Sequence, residues 1–220
     1  MSFKSNGYQI IRKIISKELS DFICDYFLLK RKVARKFFDD KKILPWVREW
    51  GTWRDSQVPN TYSHFADIAM ETLLLNVQPK MEKLTGLKLN PTYSYARIYK
   101  KGDVLHRHKD RFSCEISTTM NLGGDDWPIY LENKKNVGIP DGKKITVSSD
   151  NKGTKVNLKP GDMLVYKGMI LEHWREVFLG DNCAQVFLHY NDVKSKDADK
   201  NVFDGRSHLG LPSYFKDMKL

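Results

Sequence analysis

Cysteine is scarce in this chain. Cys24, Cys114 and Cys183 are its only three among 220 residues, odd in number and with no CxxC pair. That pattern points to reduced thiols rather than a disulfide framework. Long hydrophobic runs are missing too. No stretch approaches the ~20 apolar residues that span a bilayer, and no charged-then-apolar leader opens the sequence. A soluble, cytoplasmic protein with no membrane partner is therefore expected. Nothing marks an internal repeat or a second domain, so residues 1–220 are expected to form a single domain. The composition, 40% hydrophobic and 12% aromatic, excludes a disordered chain.

Positive charge is in excess, with a formal net charge of +10. It sits on "LLKRKVARKFFDDKK" and on the polar stretch 133–155, whereas the histidine-bearing middle of the chain is nearly neutral. A solvated helix face accounts for such a run, and attraction of an acidic partner such as nucleic acid is the alternative.

The texture changes near residue 90. Before it, "KELSDFICDYFLLKRKVARKFF" places Leu19, Phe22, Ile23, Tyr26 and Phe27 at helical spacing. "SHFADIAMETLLLNVQPKMEKLTG" repeats the pattern with Phe65, Ile68, Ala69 and Leu73. Ser63 is a candidate cap for its start, Gly86 suits its end, and Pro79 is expected to kink or split it. "WVREWGTWRDSQVPN", between the two, reads as a structured loop whose tryptophans pack or wall an active-site mouth. After residue 90, "TYSYARIY", "EISTTMNL", "WPIYLE", "KITVS", "TKVNL", "DMLVYKG" and "AQVFLHYN" read as short strands separated by turn sequences such as "KKGD", "LGGDD" and "KPGD". The expected fold is α+β: an antiparallel sandwich or barrel over 90–190, a helical supporting layer over 1–89, and a surface wrap over 191–220.

Two of the six histidines fall in "LHRHKDR", Leu105 to Arg111. On an extended backbone His106, His108 and Asp110 share one side. His108 and Asp110 can then give one ion an imidazole nitrogen and a carboxylate oxygen. With a distant second histidine, for which "LEHWRE" offers His173, they form a two-histidine, one-carboxylate facial site that leaves positions open on iron(II). His106 is a rival ligand, making the HxH of a cupin with His108. The glutamate a cupin needs should then stand where Phe112 and Ser113 are, and Glu115 comes late.

The stretch from about Asn90 to Tyr190 resembles the iron(II)- and 2-oxoglutarate-dependent dioxygenases, on the prolyl 4-hydroxylase-like branch. The resemblance rests on "RIYKKGDVLHRHKD", "STTMNLGG", "LKPGDMLVYKGMILEHW" and "CAQVFLHYN". It implies a double-stranded β-helix, or jelly roll, with helices packed on one sheet. It further implies iron held by His108, Asp110 and His173, with 2-oxoglutarate and O2 as cosubstrates and L-ascorbate as a further factor. Tyr99 stands where these hydroxylases place a tyrosine against the cosubstrate.

The chain departs from the pattern after the last histidine. The basic residue that usually binds the distal carboxylate of 2-oxoglutarate is replaced by Cys183, with Asn182 and Gln185 nearby. A dicarboxylate buried without a cation is costly. Arg97 is the first candidate to supply the charge, then Arg111, with Arg175 also in reach; Ser117 and Thr119 are candidate hydroxyl donors. The activity implied is hydroxylation of a peptide or protein substrate, peptidyl proline foremost, coupled to decarboxylation of 2-oxoglutarate to succinate and CO2. The alternatives are a nucleic-acid-modifying oxygenase and a non-catalytic jelly-roll binding protein.

Overall fold

The computed structural model describes residues 2–44, 46–132 and 152–216. The expected strand "KITVS" and most of the polar stretch 133–155 lie outside the described residues. In chain order the elements are α1 (Phe3–Asn6), β1 (Tyr8–Ile11), α2 (Lys17–Asp39), β2 (Tyr62–Phe65), α3 (Ile68–Thr85), β3 (Leu89–Lys100) and β4 (Leu105–His108). These are followed by β5 (Ile116–Gly124), β6 (Ile129–Leu131), β7 (Thr154–Val156), β8 (Met163–Lys167), β9 (His173–Arg175) and β10 (Asn182–Asp192).

The strands form two antiparallel sheets, a six-stranded one ordered β1-β8-β5-β10-β3-β2 and a four-stranded one ordered β4-β9-β6-β7. Side-chain alternation gives each strand of the larger sheet two different faces. Ala96 and Ile98 of β3, Met120 and Leu122 of β5, Met163 and Val165 of β8, and Val186 and Leu188 of β10 pack with α2 and α3 in one core. The opposite faces of the same strands meet the smaller sheet. Leu164 and Tyr166 pack there with Ile129, Leu131 and Val156, and Tyr99, Cys183 and Phe187 with Leu105 and Trp127.

The first ninety residues are less helical than their spacing predicts. They contribute β1 and β2, which pair with β8 and β3 as the two edges of the larger sheet. Ser63 lies inside β2, and the helix after it is capped by Asp67, whose carboxylate accepts from the backbone of Ala69 and Met70. Gly86 ends that helix in the left-handed conformation, and Pro79 is accommodated inside it without a break. In α2 the buried stripe is Ser20, Ile23, Cys24, Phe27 and Ala34. Leu19 and Phe22 are exposed, so the face that packs is rotated from the one their spacing suggests.

The C-terminal segment is tied down by one buried ion pair. Arg206 donates to Glu71 Oε1 at 2.8 Å and to the Thr92 carbonyl at 3.0 Å. Glu71 also accepts from the backbone of Ser94 and Gly210. Both residues are under 5% exposed, so removing one partner strands a charge in the interior. Replacing Arg206 by Leu should cost about 3–5 kcal/mol, measured as a fall in the urea midpoint.

Candidate active site

His108 ends β4 and His173 opens β9, and the register of that pair makes them direct cross-strand partners. Their rings lie 4.2 Å apart, centroid to centroid. Asp110 follows one residue beyond Lys109, its backbone N–H held by the Gly168 carbonyl at 3.0 Å. One ligand atom from each of His108, Asp110 and His173 lies within 4.8 Å of the others. The structure thus brings together the three residues singled out by spacing. His106, the rival, is exposed, and Glu115 is engaged elsewhere, accepting from Asp192 and Ser195.

The hydrogen bonds fix which nitrogen faces inward. Nδ1 of His108 lies 2.7 Å from the His106 carbonyl, and Nδ1 of His173 lies 3.1 Å from that of Leu171. A carbonyl only accepts, so each Nδ1 carries the hydrogen and each Nε2 is bare in the neutral ring. Those nitrogens stand 3.7 and 3.5 Å from Asp110 Oδ1. Burial, and then His173, lowers the His108 pKa to about 4. Burial raises the Asp110 carboxyl, but His173 and His108 together outweigh it and hold it well below the usual carboxylate range. Two imidazole nitrogens and a carboxylate oxygen thus face one space, in which the Gln57 amide already donates to His108 Nε2 at 3.1 Å and a cation would be favoured. That is the donor set a two-histidine, one-carboxylate metal site needs.

Asp110 is braced from behind. Ser117 Oγ donates to its Oδ2 at 2.6 Å. A Cβ on residue 168 would fall 2.3 Å from the same Oδ2 and 2.4 Å from the Cys114 carbonyl, so only glycine fits there. On the far side of β4, Arg107 bonds Glu172 at 2.6 Å and Glu132 at 3.2 Å and lies over the Trp174 ring. This anchors the strand that presents His108.

The three histidine and aspartate side chains open onto a cavity of about 480 Å³ that also exposes Tyr93, Tyr95, Arg97, Tyr99, Arg111 and His189. The sequence-derived candidates divide by partner. Arg111 is bound through both terminal nitrogens to Asp204, at 2.7 and 2.8 Å. It is therefore an ion-paired residue near the surface rather than a free cosubstrate cation. Arg97 is paired with Asp55 and also bonds the Tyr99 hydroxyl and Gln57. Arg175 differs. It is 1% exposed and touches only neutral groups, the Trp127 carbonyl, Thr119 Oγ1 at 3.2 Å and Gln185 Oε1 at 3.3 Å. Its Nε has no partner, and burial lowers its pKa. Among the described residues it has no carboxylate in contact. Thr119 and Gln185, both candidates, bond each other at 3.1 Å beside it.

Sequence reasoning missed four groups at the site. Asp55 and Gln57 come from the tryptophan-rich loop, with Gln57 Nε2 donating to His108 Nε2 at 3.1 Å. Tyr166 packs on the His173 ring at 4.7 Å. His189 lies on the inner face of β10, where the alternation Gln185, Phe187, His189 would have pointed to it.

No protein-family model and no curated protein matches the sequence. Solved structures do match. HygX from Streptomyces hygroscopicus, with nickel, 2-oxoglutarate and hygromycin B bound, superposes with a TM-score of 0.60 at 13% identity over 89% of each chain. A Pseudomonas putida prolyl-4-hydroxylase gives 0.52 at 13% identity over 86% of this chain and 95% of its own. The viral collagen prolyl hydroxylase vCPH from Paramecium Bursaria Chlorella virus-1, in complex with 2-oxoglutarate, gives 0.53 at 11% identity over 87% and 98%. The chain shares its fold with these proteins, two of them prolyl hydroxylases and two of them solved with 2-oxoglutarate bound.

Proposed function

We propose that the protein is an Fe(II)- and 2-oxoglutarate-dependent oxygenase that hydroxylates an organic substrate. The observation that carries this reading is the convergence of two bare Nε2 atoms and the Asp110 carboxylate, within 4.8 Å of one another, on a cavity. His108, Asp110 and His173 would hold the iron. The buried guanidinium of Arg175 without a counter-ion fits the distal carboxylate of 2-oxoglutarate. It lies two residues from His173 on the same strand, hence on the same face and roughly 7 Å along it. Thr119 and Gln185, bonded to Arg175, and Tyr99 of the cavity wall would be its neighbours there, and Ser117 serves the site indirectly by aiming Asp110. Iron and 2-oxoglutarate, when bound, would let O2 oxidise a C–H bond, one oxygen atom entering the substrate as a hydroxyl and the other the succinate that forms with CO2.

The chain's own residues do the rest. The Nδ1 hydrogens given to the His106 and Leu171 carbonyls keep both imidazoles in the ligating tautomer. Ser117 and Gly168 fix one carboxylate oxygen so that the other points inward. Tyr166, Tyr99 and Phe187 wall the cavity and limit water around the reacting atoms.

For the substrate, the matched structures support two readings: a prolyl peptide, after the prolyl hydroxylases and tested by succinate release stimulated by proline-containing peptides, and a small molecule, after HygX with hygromycin B bound. The nucleic-acid reading draws less support from the basic segment of α2. Lys30 is bound to Asp67, Arg35 to Asp39 and Lys36 to Asp40, so much of its charge is already compensated. Among the described residues no helix is long and apolar enough to cross a membrane, and all three cysteines are free and buried.

Replacing His108 or Asp110 by Ala should abolish stoichiometric Co(II) binding, read from the visible d–d absorption. Retention of one tight ion per chain in the Asp110→Ala protein would refute the metal assignment. Arg175→Met should weaken 2-oxoglutarate by about 10- to 100-fold, the worth of a charge-assisted pair, while Co(II) titration stays near wild type. The same change at Arg111 should leave 2-oxoglutarate affinity within about twofold, because its charge is spent on Asp204; both are measured by calorimetry.

A further inference from the structure

Given the oxygenase reading, the mouth of the cavity carries information about what enters it. Arg48 and Arg54 both line it. The hydrogen bonds seen at each are made by its backbone, the Arg48 N–H donating to Glu49 and its carbonyl accepting from Gly51, and the Arg54 N–H donating to Thr52. Among the described residues neither guanidinium is ion-paired. The other arginines of the lining are compensated, Arg97 by Asp55 and Arg111 by Asp204. The charge of Asp110 belongs to the metal centre. The uncompensated charge at the mouth is therefore positive.

The loop that carries these arginines is fixed in place. Thr52 and Ser63 exchange backbone hydrogen bonds of 2.8 and 2.9 Å. Tyr62 donates to the Trp50 carbonyl at 2.6 Å. Trp50 and Trp53 pack edge-on against Phe37 and Phe38 of α2. Gly51, at φ +87°, admits the Tyr62 ring where a Cβ would come within 2.6 Å of it. The backbone that carries these two exposed side chains is thus fixed, which lowers the ordering cost of holding an anion there.

Deeper in, His189 has a defined polarity. Ser117 has a single hydrogen, given to the Asp110 carboxylate at 2.6 Å. Its oxygen therefore accepts from Nδ1 of His189 at 3.0 Å. Nε2 of this buried, cavity-lining ring is then an acceptor looking for a donor. A peptidyl proline offers neither a negative charge nor an N–H at its ring, and a cavity of about 480 Å³ is the size of a small-molecule site.

We propose that the substrate is a small anionic molecule whose carboxylate or phosphate is held by Arg48 and Arg54 at the cavity mouth, while one of its hydroxyl or amine hydrogens is donated to Nε2 of His189. The test is calorimetry on protein loaded with nickel(II) and 2-oxoglutarate. The probes are ribose 5-phosphate, gluconate and phenyl phosphate, with ribose, an uncharged proline-containing peptide and a single-stranded deoxyoligonucleotide as rivals.

The expected result is binding of at least one small anion, about tenfold or more tighter than ribose. The Arg48→Ala/Arg54→Ala protein should lose that advantage. His189→Asn, which keeps a donor to Ser117 and removes the inward acceptor, should weaken ribose 5-phosphate or gluconate more than phenyl phosphate, which has no hydroxyl donor. Binding of no anion, equal binding of ribose, tighter binding of the peptide or the oligonucleotide, or indifference to the double substitution would each overturn the proposal. Uptake of nickel and 2-oxoglutarate by the wild-type protein is scored first. Its failure would sink the oxygenase reading itself and is thereby distinguished from failure of the anion assignment.

Discussion

Two imidazole nitrogens and a carboxylate oxygen are aimed at one point, an arrangement that a cation between them would stabilise. The arrangement is held in place by covalent and hydrogen-bonded geometry. The β4–β9 register sets His108 opposite His173, each Nδ1 is tied to a carbonyl, and Asp110 is tied to Ser117 and Gly168. The larger sheet supports this geometry, and a helical layer buries one of its faces in an apolar core.

The division of each strand into two faces is the means. On β3, β5 and β10 one face is aliphatic and packs on helices. The other carries Arg97 and Tyr99, Ser117 and Thr119, Gln185 and His189, polar groups that would destabilise an ordinary sandwich core. They are tolerated because they satisfy one another: Ser117 with Asp110, Thr119 with Gln185, Arg97 with Asp55. The network is complete except at a few atoms, among them Arg175 Nε. Arg97 Nε is another, and such buried groups are met in general by ordered water, an ion or a ligand.

His108 and Asp110 were legible from sequence because a strand's period of two makes HxD a geometric statement, and the later histidine in "LEHWRE" offered the third member of the group. The larger strands were legible for the same reason. The edge strands β1 and β2 were not, since four residues of "YQII" or "YSHF" carry too little periodicity to stand out beside long helices. Ser63 looked like a cap because it precedes the helical pattern, but Asp67 sits nearer the first turn and caps it instead. The partners of Arg97, Arg111 and Arg175 were beyond reach of any local pattern. Asp55, Asp204 and Gln185 lie between 10 and 93 residues away, and only the folded chain decides which arginine keeps a carboxylate.

That decision bears on how the chain departs from its relatives. The position on β10 where a base is expected is Cys183, buried and bonded by Gln185. Gln185 in turn receives Arg175 from the opposite sheet. A cation delivered from β9 and one delivered from β10 would face the same space from two walls. Supplied by Arg175 of β9 instead, the charge would lie two residues from His173, on the strand that would also help hold the metal. Buried without a counter-ion, such a guanidinium is destabilising by several kcal/mol, a cost that a bound dicarboxylate would relieve. The ligand would then do more than fill a pocket. By neutralising Arg175 it would stabilise β9 and with it the register that aims His173, so that cosubstrate binding and metal geometry would be coupled through three consecutive residues.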